Sequence, residues 1–309
     1  MNINERLNGV DLFGNPIKPK TSGPVSDKFG TPPFTILDAK SGDWQDRKRA
    51  WSALGIQGEI GRSAKAYNDH AFAAANGKEM NGDGTSIFDP MLCETVYRWM
   101  CPVGGQIVDP FAGGSVRGMV AGCLGMNYWG CDIRAEQIAA NEQQANDIPT
   151  SVRPVWVCGD AIDVVSGAPT SDLIFSCPPY GDLEVYSDDP RDLSQMEWSS
   201  FLSAYKLIIR TAVQRMKPDS FAVFVVGDFR DNKGMYRNFV SHTIDGFEAA
   251  GARLYNEAIL ATPIGTAMMR VGKQFTTSRK LAKIHQNVLM FVKGDPRIAT
   301  QKIDDTPIR

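Results

Sequence analysis

The stretch Val-Asp-Pro-Phe-Ala-Gly-Gly-Ser-Val-Arg-Gly at residues 108–118 decides the fold. It reads as the end of a buried strand, a glycine turn and the start of a helix. Glycine tolerates backbone conformations that a Cβ forbids, so such a turn brings N–H groups close to a ligand. A second run, Asp-Leu-Ile-Phe-Ser-Cys-Pro-Pro-Tyr at residues 172–180, reads as another buried strand. It ends in a stiff Pro-Pro followed by an aromatic ring. Open α/β sheets place their chemistry at turns like these, at the carboxyl ends of strands.

Outward from these two runs, strand and helix patterns alternate from about Thr85, the signature of a doubly wound parallel sheet. The patterns predict strands over residues 105–110, 127–133, 155–159, 173–176 and 221–226, closed by an antiparallel pair over 254–261 and 287–292. They predict helices over 91–101, 115–124, 135–146, 198–216 and 235–250. Residues 1–84 differ, being rich in turn signals such as Gly-Asn-Pro, Gly-Thr-Pro-Pro and Asn-Gly-Asp-Gly. In that arm only 33–38 resembles a strand and 44–54 a short helix, so it is expected to pack on the main domain. The division is therefore an arm over 1–84, a main domain over 85–294 and a tail over 295–309.

The 309 residues are 43% hydrophobic and carry a net charge of -2, enough for an ample core. No apolar run is long enough to span a bilayer and no signal-peptide pattern opens the chain. A near-neutral balance excludes a protein that is basic all over, so nucleic-acid contacts must be concentrated in segments. The six cysteines form no Cys-x-x-Cys pair, and His70, His242 and His285 lie far apart, which argues against a zinc site. Five of the six are expected as small buried hydrophobes; Cys177 is the exception because of its address. Unpaired cysteines suit a reducing cytoplasm.

Asp109, Asp132 and Asp160 end three successive predicted strands. An acid about twenty residues past a glycine turn is suited to accept hydrogen bonds from a ribose diol. A helix N-cap is the ordinary alternative for each acid. A dinucleotide fold would require Gly-x-Gly-x-x-Gly, and Ser115 stands where its second glycine belongs.

Residues 108–118 and 172–180 together resemble motifs I and IV of S-adenosylmethionine-dependent DNA amino-methyltransferases, over roughly residues 85–294. The resemblance implies the class I methyltransferase plan, a Rossmann-like doubly wound sheet of seven strands with one antiparallel, plus an irregular N-terminal arm. Thr85-Ser-Ile-Phe-Asp-Pro90 resembles motif X, although Asp89-Pro90 equally reads as a plain helix start, and Gly159-Asp160-Ala161 resembles motif III. The order X, I, IV is gamma-like, and the chain has the compactness of phage-encoded members. The implied cofactor is S-adenosylmethionine, held by Ser86, Phe88 and Asp89 at its methionine end and by Asp109, Pro110, Phe111, Gly113 and Ser115 around the glycine turn. Asp132, Ile133, Asp160 and Ala161 would hold its nucleoside. The implied catalytic turn is Cys177, Pro178, Pro179 and Tyr180. Its first side chain and the Pro178 carbonyl would accept hydrogens from an exocyclic amine, adenine N6 or cytosine N4, while Tyr180 stacks on the flipped base. Cys177 departs from the family's Asp, Asn or Ser, and a thiol is a weak acceptor. Either the Pro178 carbonyl or the Ser176 hydroxyl then carries more of the task, or Cys177 attacks a pyrimidine for C5 chemistry. An RNA amino-methyltransferase and a relative that binds without turnover are the other rivals.

The segment 263–285 holds Arg270, Lys273, Arg279, Lys280 and Lys283 and no acid, which reads as a phosphate contact, the ordinary alternative being a solvated surface loop. The run Trp44-Gln-Asp-Arg-Lys-Arg-Ala-Trp51 either clamps a duplex or docks its tryptophans as a surface helix. The acidic run at 186–191 is read as a flap over the target base. The expected partner is DNA in the cytoplasm, with no membrane and no metal, and a homodimer among the assemblies allowed.

Overall fold

The computed structural model describes residues 24–56, 88–181, 187–262, 264 and 267–303. Its strands are β1 (Ile36–Asp38), β2 (Gln106–Asp109), β3 (Asn127–Asp132), β4 (Val155–Cys158), β5 (Ser171–Ser176), β6 (Met216–Val226), β7 (Arg253–Ala261) and β8 (His285–Lys293). The described helices are α1 (Pro24–Phe29), α2 (Gly42–Ala53), α3 (Pro90–Met100), α4 (Val116–Cys123) and α5 (Ala135–Asp147). They continue with α6 (Ala161–Val164), α7 (Trp198–Arg215), α8 (Phe239–Ala249), α9 (Ala267–Ser278) and α10 (Pro296–Gln301).

The strands form one sheet in the order β1-β7-β8-β6-β5-β2-β3-β4. Only β8 runs against its neighbours, β6 and β7; every other pairing is parallel. Strands β2 to β8 reproduce the seven-stranded plan with one reversed strand. The eighth is a correction: β1, from the arm, pairs with β7 in the register Ile36↔Ile259 and extends the sheet. The chain winds outward from β2 through β3 to β4, then returns to place β5 on the other side of β2. Between β2 and β5 the winding reverses, and a crevice opens at such a switch point outside the carboxyl ends.

Both faces of the sheet are buried, as a parallel sheet requires. Along β6, Phe221, Val223 and Val225 enter one apolar layer, while Ala222, Phe224 and Val226 enter the other. The first layer also takes Trp44 and Trp51 of α2, so the arm contributes to the main core as expected. Those tryptophans lie seven residues apart, about two helical turns, and so share one face. Between them Arg47 donates to both oxygens of Glu94 on α3, at 2.8 and 2.6 Å, and Trp51 Nε1 donates at 2.7 Å. Burial opposes ionisation of Glu94, but Arg47, Arg98 and Trp51 outweigh it and hold its carboxyl at about 2.

Two further expectations, the start of one helix and the burial of one cysteine, are corrected, and the tail holds a helix of its own. Helix α8 begins at Phe239, not 235, because Arg230 and Tyr236 bridge as antiparallel backbone and Asn238 turns left-handed at φ 54°. The tail contains α10, capped by Asp295 and tied back where Lys302 donates to the carbonyls of Pro218 and Asp219. Cys158 is exposed, whereas Cys93, Cys101, Cys123 and Cys131 are buried.

Candidate active site

A cleft of about 1010 Å³ runs along the carboxyl ends of the strands and is lined by both sequence motifs. The glycine turn after β2 forms its floor, where Gly113 adopts φ 51°, a conformation costly for any residue with a Cβ. The turn is fastened from behind. Asn141 of α5 donates to the Gly113 carbonyl at 2.8 Å, and Arg117 of α4 donates to the carbonyls of Phe111 and Ala112 at 2.6 and 2.8 Å.

Two of the residues assigned to the cofactor by sequence stand behind this floor and do not line the cleft. Asp109 is fully buried. Its carboxylate accepts from Arg117 Nε, Tyr128 Oη, Ser176 Oγ and the Phe111 N–H. Four donors on one buried carboxylate fasten β2, β3, β5 and α4 together, leaving it no role at a ligand. Ser115 is likewise buried, its hydroxyl donating to Gln144 Oε1 at 2.9 Å. Both are corrected to brace positions.

Pro110, Phe111, Gly113, Asp132, Ile133, Asp160, Ala161, Phe88 and Asp89 all line the cleft; Ser86 lies outside the described residues. Asp132 ends β3 and accepts from the Arg134 N–H at 2.9 Å. Burial pushes its carboxyl up, against the opposing pull of Arg134 and the Gly113 N–H. Asp160 caps α6 through the Ile162 N–H at 2.9 Å and still lines the cleft. Asp89 caps α3 through the Met91 N–H at 2.9 Å. It also takes Trp44 Nε1 at 3.1 Å and Lys48 Nζ at 3.2 Å from α2.

Cys177, Pro178, Pro179 and Tyr180 leave the end of β5 and line the cleft. Ser176, just before them, is fully buried with its hydroxyl committed to Asp109, which removes it as an amine acceptor. Tyr180 packs edge-on against Phe229 and Phe239, each 5.9 Å between ring centres, and its hydroxyl accepts from Gln286 Nε2 at 3.0 Å. The ring is thereby held in one orientation.

Sequence reasoning missed the contribution of the β6 end. Gly227, Asp228, Phe229 and Arg230 line the cleft directly after that strand, and Gln286 faces them from β8. The strand-end position that singled out Asp132 and Asp160 applies equally to Gly227-Asp228 and would have found them.

The cationic segment divides. Residues 267–278 form α9, a helix not anticipated, on which Lys273 is exposed. Arg279 follows at φ 55°, exposed, its guanidinium 5.1 Å from the centre of the Phe275 ring. The Arg270 side chain lies outside the described residues. Lys280 and Lys283 instead turn into the cleft, and Lys283 Nζ donates to the Asp228 carbonyl at 3.3 Å. Burial pulls the Lys283 ammonium below the usual lysine range, partly offset by Asp228. In α2 the tryptophans are docked; Arg47 is buried on Glu94 and Lys48 pairs with Asp89, while the Arg49–Asp46 pair stays exposed. Residues 182–186 of the flap region lie outside the described residues; Arg191, at its end, pairs with Asp189 at 2.7 Å.

No helix among the described residues is long and apolar enough to cross a membrane. Neither a known protein family nor a curated protein matches the chain. Similar solved structures include TrmN from Thermus thermophilus, at 13% identity and a TM-score of 0.44, over 67% of this chain and 49% of that one. The chain thus spans about half the length of TrmN. Magnesium protoporphyrin IX methyltransferase from Synechocystis, with S-adenosylmethionine bound, is similar at 10% identity and a TM-score of 0.44, over 72% of this chain and 94% of that one. A TehB-like S-adenosylmethionine-dependent methyltransferase from Corynebacterium glutamicum shows 18% identity and a TM-score of 0.41, over 72% and 93%. The fold assignment itself stands on the strand order.

Proposed function

We propose that this chain is an S-adenosylmethionine-dependent methyltransferase acting on an exocyclic amino group, adenine N6 or cytosine N4, of a base flipped out of DNA. One observation carries the reading. The glycine turn of β2, the acids ending β3 and β4 and the Cys-Pro-Pro-Tyr turn of β5 meet in a single cleft at the switch point of the sheet.

The donor set suits the cofactor. Asp132 offers a carboxylate to a ribose diol, Asp160 offers one to an adenine amino group, and Ile133, Ala161 and Leu193 supply apolar walls. Bound there, S-adenosylmethionine supplies an electrophilic methyl group. The remaining work falls to the protein. An exocyclic amine is a poor nucleophile because its lone pair is delocalised into the ring. The Pro178 carbonyl, assisted by Cys177, accepts the amine hydrogens and draws the nitrogen towards sp³ character. Pro179 keeps the turn stiff, and Tyr180, held by Gln286, stacks on the base. Covalent chemistry by Cys177 loses ground to this arrangement, because the family turn it resembles works through acceptors. On the rim, Lys273 and Arg279 are the exposed cations for phosphate contacts, with Arg270 beside them in sequence.

Incubation with S-adenosylmethionine carrying a labelled methyl group, with DNA and RNA side by side, tests the proposal. Nucleoside analysis is expected to find label on the exocyclic nitrogen of adenine or cytosine from DNA. Label confined to RNA would move the substrate to RNA. Label on cytosine C5 would make Cys177 a nucleophile and overturn the amine mechanism.

A further inference from the structure

One cation of the mixed-charge run of α2 reaches the cleft. Lys48 lines the cleft wall with its side chain 34% exposed, its Nζ 3.2 Å from Asp89 Oδ2. Asp89 is already fixed by the Met91 N–H and Trp44 Nε1, so Lys48 is not needed to hold it in place. Of the other cleft cations, Arg117 is bound to Asp109, Arg134 to Asp132, Arg191 to Asp189 and Arg230 to the Gly234 carbonyl, while Lys283 and Lys280 lie against Asp228 and Gly234, past the end of β6.

Of the proposed nucleoside acids, Asp132 ends β3 and Asp160 follows β4 as the cap of α6, to one side of the glycine turn in the strand order. A ligand that joins a nucleoside to an amino acid, laid across that turn, brings its zwitterion to the opposite side. Phe88, Asp89, Leu92 and Lys48 stand in the cleft wall with the glycine turn. A zwitterion needs one group of each sign, and Lys48 beside Asp89 provides that pair.

We propose that the N-terminal arm completes the cofactor site, with Lys48 of α2 holding the carboxylate of the amino-acid end beside Asp89, which faces its ammonium. The inference rests on the proposed function and deepens it.

Calorimetry with two ligands separates the claims. S-adenosylhomocysteine carries the zwitterion; 5′-methylthioadenosine shares the thioadenosine and lacks it. Lys48→Met is expected to weaken S-adenosylhomocysteine binding by roughly tenfold and to change 5′-methylthioadenosine binding by less than about twofold. Lys48→Gln, which keeps a hydrogen-bonding head towards Asp89 and guards against a folding defect, should show the same split, and Lys48→Arg should restore affinity. Unchanged S-adenosylhomocysteine affinity, or equal losses for both ligands in the Gln variant, would overturn the role of Lys48 while leaving the cofactor reading intact. Wild-type protein that binds neither ligand would bring down the cofactor reading and this inference together.

Discussion

Helices α2 and α9 carry the same mixture of cations and bulky apolar side chains, and the fold uses them in opposite ways. In α2 the tryptophans are swallowed, Trp44 at 2% exposure and Trp51 at 0%, and all three consecutive cations find acids. In α9, Met268 and Met269 remain 67% and 65% exposed, and Lys273 projects into solvent. The difference lies in what each helix meets. Glu94 and Asp89 at the start of α3 wait for α2, whereas residues 263–285 contain no acid and α9 rides on the rim of the cleft. A cationic, apolar run therefore becomes an anchor where the fold supplies buried acids. Where none are supplied it stays exposed to solvent.

The largest expected effect comes from breaking the anchor. Glu94→Gln leaves Arg47 buried without its counter-charge, so unfolding by urea should show a loss of about 3–5 kcal/mol. A loss below about 1 kcal/mol would mean that α2 is a passenger and the contrast with α9 is false. The pH dependence sharpens the same point. The Glu94 carboxyl is held at about 2, below its ordinary 4.5, so the pair stabilises fully above the ordinary value. That contribution fades as pH falls towards about 2.

The cleft between the two helices supplies the next contrast. Asp132→Ala should cost cofactor affinity about 1.5–3 kcal/mol, roughly ten- to a hundredfold, with little change in unfolding midpoint. Because burial raises the Asp132 carboxyl, acidification should weaken binding from a higher pH than an ordinary aspartate would allow. Calorimetry across pH that finds affinity flat into the ordinary carboxylate range would remove Asp132 from the ligand. Within the catalytic turn, Tyr180→Ala should slow turnover by the equivalent of about 1–3 kcal/mol of stacking, while Cys177→Ser keeps activity. A dead Cys177→Ser variant would point to a nucleophilic thiol instead.

The smallest effect tests the outward helix alone. Replacing Lys273 and Arg279 with alanine should flatten the plot of log DNA affinity against log salt, by about 0.9 for each phosphate no longer neutralised. Arg49→Ala, on α2, should leave the slope alone. Equal slopes for both variants would erase the distinction between the helices.

Much of this was legible in the sequence, and what escaped shares one cause. The strand-turn-helix runs are local, so the alternation, the cleft-lining glycine turn and the Cys-Pro-Pro-Tyr turn can be read directly. Asp109 misleads because its partners Arg117, Tyr128 and Ser176 converge only after folding; strand-end position alone does not separate a brace from a ligand. The inward turn of Lys280 and Lys283 is hidden for the same reason. Helix α9 escapes although Met268, Val271 and Phe275 repeat at helical spacing, because Gly272 and the β-branched Val271, Thr276 and Thr277 weaken its intrinsic helix signal. Strand β1 is visible as a strand, but three residues give no sign that they will pair with β7.

Methyl transfer itself tests the central claim most directly. Purified protein, labelled S-adenosylmethionine and duplex DNA should yield labelled N6-methyladenine or N4-methylcytosine, with the yield collapsing in Asp132→Ala and Tyr180→Ala. No label on DNA or RNA from protein shown to bind S-adenosylmethionine would contradict the claim.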